Sequence, residues 1–270
     1  MKNIIIMITV LLLCNTVKAQ ELFSFTEPAS NMAAKSIGVR LNNYFMKDIH
    51  ENKINYHVLP EVMVGLSKKI MIHAEAFLSN RDNKLTAEGG GFYMKYRFYS
   101  SDDIHSHFRL ATYGRYSFNN TAVHQPAIDL LGHNSGYEIG IVATKLINKV
   151  AISSSISTLH ASDNGSNKFI YGNNNRNAVN YTLSVGKLLL PKEYTSYKQT
   201  NVNAMLELLG QTNVYAKESF LDIAPVVQFI INSRLRIDAG YRIPINTKLH
   251  RTAAEGGLLR IEYNFFNVFK

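Results

Sequence analysis

The sequence predicts an all-β protein, an antiparallel, up-and-down transmembrane β-barrel of about twelve strands. Apolar and polar residues alternate with a period of two from residue 36 onwards, and short and long connectors alternate between these segments. Successive side chains of a strand point to opposite faces, so this period predicts strands with one apolar face. The segments are also long enough for membrane strands, which need roughly nine to eleven residues, whereas globular strands average about five to six.

Residues 1–19 are predicted to be a secretory signal peptide. Lys2 precedes the short apolar run IIIMITVLLL, and the segment ends at the small residue Ala19. The run is too short to cross a membrane as a helix, although a buried helix or a retained anchor is an alternative. Cys14, the only cysteine, lies in this segment after Leu13, which is larger than the residue that a lipoprotein signal requires. We therefore expect an exported mature chain without disulfides.

Residues 20–35 are predicted to form a lead-in to the first strand, because Pro28 and its small neighbours disfavour a strand. We expect this lead-in to lie in the periplasm or to be inserted into the lumen through the mouth of the barrel. Residues 36–270 then form the barrel itself, with no linker or second domain. The formal net charge is +9, but the basic residues are scattered, so we expect no nucleic-acid partner.

The predicted strands alternate in direction between short turns and longer polar loops. Their residue ranges are 36–46, 54–66, 70–80, 85–99, 106–118, 135–147, 150–160, 177–189, 200–211, 219–231, 234–246 and 256–269. The turns at 67–69, 148–149 and 232–233 are short, and the longest loops lie on the opposite side. An even number of strands with short periplasmic turns and long external loops is typical of outer-membrane barrels.

The two faces of these strands differ in charge. One face is apolar, with Ile139, Leu183 and Ile237 at mid-strand, and its lysines Lys145 and Lys187 fall only at predicted periplasmic ends, where a long stem can reach the interface. A basic side chain at the lipid midplane costs about 2–4 kcal/mol, so we predict that this face contacts lipid. A soluble two-sheet sandwich is the alternative, because twelve strands enclose more than their side chains can fill as a closed soluble barrel.

The opposite face carries the charges, and we predict that it lines the lumen. Its members are Arg40, Glu61, Glu75, Lys95, Arg97, Arg109, Arg115, Glu138, Glu207, Asp222, Arg236, Asp238, Arg242, Arg260 and Glu262. A strongly ion-selective pore would show a ring of one sign, whereas these are nearly balanced. We therefore expect a narrow lumen cross-linked by ion pairs, with Glu61 and Glu75 facing Lys95 and Arg97. Lys95, Arg97 and Arg109 cluster near the periplasmic end and predict a local preference for anions.

Aromatic residues are predicted to form two interfacial girdles, as membrane barrels do. The periplasmic girdle would contain Tyr96, Phe98, Tyr99, Phe265, Phe266 and Phe269. The outer girdle would contain Tyr44, Phe45, Tyr56, Tyr116, Phe118 and Tyr137. Both bands place amphipathic rings at the depth of the lipid headgroups.

The segment LPEVMVGLSKKIMIHAEAFLSN at 59–80 resembles the strand–turn–strand unit of Gram-negative outer-membrane barrels grouped as transporters of the phenol meta-cleavage pathway type. EPASNMAAKSIGVRL at 27–41 and the aromatic closing strand are similar to versions from Bacteroidota. The resemblance implies passage of small organic molecules across the outer membrane, with no catalytic residues. The terminal Phe269, followed here by Lys270, resembles the aromatic that the barrel-assembly machinery reads.

The leading functional prediction is therefore a passive outer-membrane channel or transporter for small solutes, a monomer in contact with lipid and without a cofactor. A structural barrel, or an adhesin-like barrel whose outer loops bind a partner, is the alternative. Neither an enzyme nor a metal site is expected. Ser154, Thr158 and His160 share the lipid-facing side, but a nucleophile needs a base within hydrogen-bond reach. The DDIHSH turn at 102–107 carries potential metal ligands and reads more simply as solvated.

Overall fold

The computed structural model describes residues 23–47, 53–81, 84–103, 106–193, 196 and 198–269. The predicted signal peptide lies outside the described residues. In the described part of the chain, no helix is long and apolar enough to cross a membrane.

Twelve strands follow one another along the chain and close into a barrel, so the predicted fold class is confirmed. They are β1 Ser36–Lys47, β2 Ile54–Gly65, β3 Ile70–Ser79, β4 Thr86–Asp102, β5 Ser106–Asn119, β6 Gly136–Ile147, β7 Val150–Ala161, β8 Asn177–Leu190, β9 Asn201–Asn213, β10 Ser219–Ile231, β11 Leu235–Thr247 and β12 Glu255–Phe265. A single turn of 3₁₀ helix, Asn173–Arg176, precedes β8.

Every strand pairs antiparallel with its neighbours in sequence, and β1 closes the barrel against β12. In that closing pair Arg40 lies opposite Glu262, and on its other side Arg40 lies opposite Glu61. Closure leaves no strand edge with unpaired backbone groups, which a membrane interior requires. The soluble-sandwich alternative is therefore wrong, because the sheet is single and closed.

The last strand ends earlier than the sequence predicts. β12 stops at Phe265, opposite Ile37, one residue short of the start of β1 at Ser36. Asn267 has a left-handed backbone, with φ of 55°, and the Val268 N–H then donates to the Lys35 carbonyl. The aromatic residues Phe266 and Phe269 therefore lie beyond the strand, at the end where the chain enters and leaves the barrel.

The two faces separate as the period of two predicts. On the outer face, Ile139 and Phe92 are each 60% exposed and Leu183 is 43% exposed. On the inner face, Lys95, Glu207 and Asp238 are fully buried. One aromatic was assigned to the wrong face: Tyr44 shares the parity of Arg40 and points into the barrel, where its ring lies 6.5 Å from that of Phe25.

Bulges re-aim side chains at two places that matter for the lumen. The register shifts between Arg97 and Tyr99 on β4, and again between Leu221 and Asp222 on β10. A bulge adds a residue to one strand and bends it locally. The bulge on β4 ends its series of inward-facing side chains near the β4–β5 turn. The register shift on β10 lies beside Asp222, which contacts Arg251 of the β11–β12 loop.

Because the outer face is apolar, a carboxylate placed there is expected to block barrel assembly. Leu183→Asp should fail to give the compact, heat-modifiable band of a folded barrel in detergent gels, since a basic side chain at the lipid midplane costs about 2–4 kcal/mol and an acidic one somewhat less. Asn180→Asp is the matched control on the same strand. Asn180 faces inward and its Oδ1 accepts from Gln211 Nε2 at 2.8 Å, an acceptor that aspartate keeps. Equal assembly of the two variants would contradict the face assignment.

Candidate functional site

In its described part, which begins at Phe23, the lead-in enters the barrel and contacts the inward face of β8, β9 and β11. Backbone N–H groups of Ser24, Phe25 and Thr26 donate to the Glu207 carboxylate at 2.8, 3.1 and 2.9 Å. The Thr26 hydroxyl donates to the same carboxylate at 2.8 Å and contacts the Ser184 hydroxyl at 2.9 Å. Glu207 on β9 is therefore surrounded by donors from a segment that belongs to no strand.

Phe23, the first described residue of the lead-in, is held by hydrogen bonds and by apolar packing. Its carbonyl accepts hydrogen bonds from Arg236 Nη2 at 2.6 Å and from Arg260 Nη1 at 3.3 Å. Its ring packs in a buried cluster with residues of four strands, namely Leu146, Ala151, Met205 and Val226. Ser24 Oγ donates to Asp238 Oδ2 at 2.7 Å, so the carboxylate of β11 is also held by the lead-in.

The lead-in then crosses the lumen to the opposite wall. Glu27 pairs with Arg40 at 3.0 Å and with Lys95 at 3.5 Å, and Lys95 Nζ also donates to the Pro28 carbonyl at 2.7 Å. The Ala29 N–H donates to Thr144 Oγ1 at 2.8 Å. Burial alone would raise the pKa of the Glu27 carboxyl, but Arg40 and Lys95 hold that pKa well below its usual value. Glu27 is therefore a carboxylate at neutral pH, and it ties the lead-in to β1 and β4.

The remaining inward charges form a network around Arg40. Arg40 contacts Glu61 at 3.2 Å and Glu262 at 2.9 Å, and Arg236 contacts Asp238 at 2.6 Å and Glu262 at 3.5 Å. A buried ion pair gains little net stability, yet removing one partner typically costs about 3–5 kcal/mol because a charge is left unpaired. The network therefore fixes the strands in register and leaves little room in this half of the lumen.

The expected pairing of Glu61 and Glu75 with Lys95 and Arg97 is wrong. Glu61 binds Arg40 and His73, and Glu75 contacts Arg115 at 3.3 Å. The sequence could not reveal these pairs, because the register of the barrel decides which inward side chains lie at the same depth. In addition, Lys95 pairs with Glu27 of the lead-in. Arg115 also approaches Glu138 at 3.6 Å.

Arg97 and Arg109 occupy different surroundings despite their closeness in the predicted face. Arg97 immediately precedes the bulge on β4. Its Nη2 donates a hydrogen bond of 2.6 Å to the carbonyl of Lys68 in the β2–β3 turn. Arg109 is buried, contacts Asp102 at 3.0 Å and donates to Ser30 Oγ of the lead-in at 2.7 Å. Arg109 thus belongs to the lead-in's binding surface, whereas Arg97 lies at the rim.

The connector between β5 and β6, residues 120–135, folds into the other half of the barrel and is called the inner loop below. The Ile128 N–H and carbonyl bond to the amide side chain of Gln211 at 2.9 and 2.7 Å. Ile128 and Leu130 pack with Leu159 and Phe169 in a buried apolar cluster. Gln125 Oε1 accepts from the N–H and the hydroxyl of Thr252, both at 3.0 Å. The inner loop is therefore attached to several walls.

A cavity of about 250 Å³ remains between the lead-in and the inner loop. Phe25, Thr26 and Glu27 form its wall on the lead-in side, and inner-loop residues 125, 127–131 and 133 line the other. Tyr44, Tyr93, Tyr113 and Phe220 supply aromatic surface, and Arg115, Arg242 and Arg251 supply positive charge. Small-molecule sites are mostly apolar concavities with a few placed polar groups, which describes this cavity.

Arg242 and Arg251 meet at the long-loop end of the cavity. Both guanidiniums contact the carboxylate of Asp222, Arg242 from β11 and Arg251 from the following loop. Sequence reasoning placed Arg242 on the inner face but missed Arg251, Gln125 and Glu27, which lie outside the strands. Period-two patterns assign faces only within strands, so charges on a lead-in or loop gave no usable pattern.

The other sequence candidates have structural partners. His160 Nδ1 lies 2.9 Å from Asn177 Oδ1 and its ring stacks on Tyr137, while the Ser154 hydroxyl donates to the Thr182 carbonyl at 3.0 Å. In the DDIHSH turn, His105 lies outside the described residues and Asp102 pairs with Arg109. Among the residues described, no group of three or more His, Cys, Asp or Glu side chains is arranged to hold a metal ion.

No family model matches the sequence, and no curated protein sequence is similar to it. Among solved structures, this chain is similar to an outer-membrane channel from Pseudomonas putida F1, with a TM-score of 0.56 and 10% sequence identity. The match covers 89% of this chain and 100% of that chain. The KdgM porin has a TM-score of 0.49 at 6% identity, over 84% and 98% of the two chains. The outer-membrane phospholipase A of Escherichia coli has 0.45 at 9% identity, over 93% and 96%. The first likeness shows a common barrel fold.

The hydrogen bonds of Glu207 predict how the lead-in is held. Glu207→Ala removes the acceptor of three backbone N–H groups and should raise amide hydrogen exchange in residues 24–30, because unpaired N–H groups no longer favour the docked segment. Glu138→Gln is the matched control, since Glu138 accepts from Ser157 Oγ at 2.6 Å and bonds Tyr113 on the wall. Exchange that rises equally in both variants would show that general loosening, not loss of this anchor, is responsible.

Proposed function

We propose that the protein is an outer-membrane channel for small solutes that is closed in this conformation, with the lead-in closing one half of its lumen and the inner loop narrowing the other. The observation that carries the proposal is the clamp of three lead-in N–H groups on the Glu207 carboxylate. The lead-in as a whole is held by hydrogen bonds, by the ion pairs of Glu27 and by the packing of Phe23, and it does not pair with the barrel as a strand. A segment held in this way can leave the lumen while every pair of the barrel ladder stays intact.

Three features support an outer-membrane location. The outer face is apolar and free of charge at mid-strand, the barrel shares its fold with a known outer-membrane channel, and the first 19 residues read as an export signal. We further propose that the signal is cleaved and that the terminal aromatic residues engage the barrel-assembly machinery. The Phe269 side chain is half-exposed, as such recognition would require.

Small organic molecules are the solute class that we propose. The cavity combines tyrosine and phenylalanine rings with arginine and amide side chains, which suits molecules with an apolar body and a polar group. This proposal agrees with the likeness of residues 59–80 to transporters of the phenol meta-cleavage pathway type. The nearly balanced charges of the inner face argue against a simple ion-selective pore.

A structural barrel, or one whose outer loops bind a partner, is the second candidate. One observation favours it: Ile170 and Tyr215 are among the most exposed apolar side chains, and both lie in loops at the long-loop end. A buried lumen alone fits either function. Electrical conductance distinguishes them, because a purely structural barrel conducts no ions in any state.

A removable lead-in predicts that a covalent tether will lock the channel. The Thr26 and Ser184 hydroxyls lie 2.9 Å apart, so Thr26→Cys with Ser184→Cys places two thiols within disulfide reach with little change in shape. In planar bilayers, the oxidised variant should show openings at least tenfold rarer than the same protein after reduction. Cys14, the only native cysteine, belongs to the predicted signal peptide.

Ser155→Cys with Thr182→Cys is the matched control, because these hydroxyls lie 2.6 Å apart on β7 and β8 and tie only wall to wall. Its openings should not depend on the redox state. A bilayer that stays silent in both variants, oxidised and reduced, would favour the structural barrel. Openings unaffected by the tether would show that the lead-in is not the gate.

A further inference from the structure

One corner of the cavity contains more positive than negative charge. Asp222 on β10 is fully buried and accepts Arg251 Nη2 on Oδ1 at 2.7 Å, while Arg251 Nη1 and Arg242 Nε both reach Oδ2, at 2.5 Å. These three side chains, together with Phe220, are called the arginine corner. Two guanidiniums share one carboxylate, so the corner keeps one positive charge that Asp222 does not neutralise.

The two arginines differ in exposure, since the Arg242 side chain is 23% exposed and Arg251 is buried. Arg251 is only 6% exposed, and its Nε is buried without a hydrogen-bond partner. Burial and the neighbouring Arg242 lower the pKa of Arg251, which shows that its charged form lacks full compensation. The other acids lining the cavity pair elsewhere: Glu27 with Arg40 and Lys95, and Glu138 with Arg115.

Asp129 is the remaining acid of the lining, and its Oδ2 lies 3.7 Å from His133 Nε2. Asp129 also attracts the Arg251 guanidinium, but more weakly than Asp222 does. Arginine binds carboxylates through paired N–H groups in a fork geometry, so an anionic ligand is the natural partner for this corner.

The surroundings of the corner are aromatic. The Arg251 guanidinium lies 3.8 Å from the centre of the Phe220 ring and that of Arg242 lies 5.4 Å from it. Tyr93, on another wall of the same cavity, is 3% exposed, and its buried hydroxyl has no hydrogen-bond partner. A ligand can therefore meet a cationic group, apolar rings and a free hydroxyl in one enclosed space.

We propose that the cavity is a binding site for small carboxylates with an aromatic or similarly apolar body. The carboxylate binds at Arg251 and Arg242, and the body lies against Phe220 and the tyrosines. The inference rests on the proposed channel function, of which such an anion would be the solute. It places the selective site at the long-loop end of the lumen, away from the Lys95, Arg97 and Arg109 cluster.

Benzoate tests the proposal against its neutral isostere benzamide, with binding to the detergent-solubilised full-length barrel measured by calorimetry. Benzoate should bind at least tenfold more tightly than benzamide. Arg251→Gln should weaken benzoate at least tenfold and leave benzamide unchanged. Arg176→Gln is the matched control and should change neither, because Arg176 also contacts an aspartate, Asp163 at 2.6 Å, and an aromatic ring, that of Phe169 at 5.1 Å, but does not line the cavity.

Asp222→Asn separates this role from a structural one. If Asp222 competes with the ligand for the two guanidiniums, removing its charge should tighten benzoate binding several-fold, whereas a purely structural ion pair predicts loss. Heat modifiability in gels confirms that each variant is folded. Equal affinity of the wild type for benzoate and benzamide would overturn the proposal, whatever the variants do.

The two proposals can fail separately. Benzoate that binds as expected to a barrel that never conducts overturns the channel and leaves the site. A conducting barrel that does not discriminate benzoate from benzamide overturns the site and leaves the channel.

Discussion

The inner face of the barrel buries carboxylates and guanidiniums that cannot remain without partners. Glu207 shows this constraint most directly, because the N–H groups of a non-strand segment satisfy its oxygens. Removing a charge from water costs several kcal/mol unless hydrogen bonds and counter-charges replace its hydration. The lead-in supplies that replacement for Glu207, Asp238, Arg236 and Lys95, so the lumen charges and the lead-in depend on each other.

If the protein is the channel proposed above, this dependence allows a filled lumen to open. The ladder hydrogen bonds between the strands hold the barrel, and the lead-in contributes none of them. Water can replace the polar contacts of the lead-in if the segment leaves the lumen. The burial of Phe23 in an apolar cluster opposes that departure. In the proposed channel, the balance between these terms would set how often the lumen opens, and it could be shifted without disturbing the lipid-facing wall.

The lead-in and the inner loop are held inside the barrel by different interactions. The lead-in is held mainly by charges and backbone donors, while the inner loop also packs apolar side chains on the wall, such as Ile128 and Leu130 against Leu159. The cavity lies between the lead-in and the inner loop. Lead-in residues line one side of it, and the arginine corner lies at its long-loop end. In the proposed channel, selection and closure would therefore depend on separate parts of the chain.

The sequence by itself determined the class of fold, the strand boundaries to within a few residues and most of the two faces, because an apolar outer face and a polar inner face impose a period of two along the strands, interrupted only at the register shifts. It also placed Arg40, Glu61, Arg236 and Glu262 on the inner face. Only the tertiary structure decided which charges pair, that Glu75 meets Arg115, that Glu27 and Phe25 enter the lumen and that Arg251 joins Arg242 on Asp222. Those contacts depend on register across the closed barrel and on segments outside the strands, where no periodicity constrains the position of a side chain.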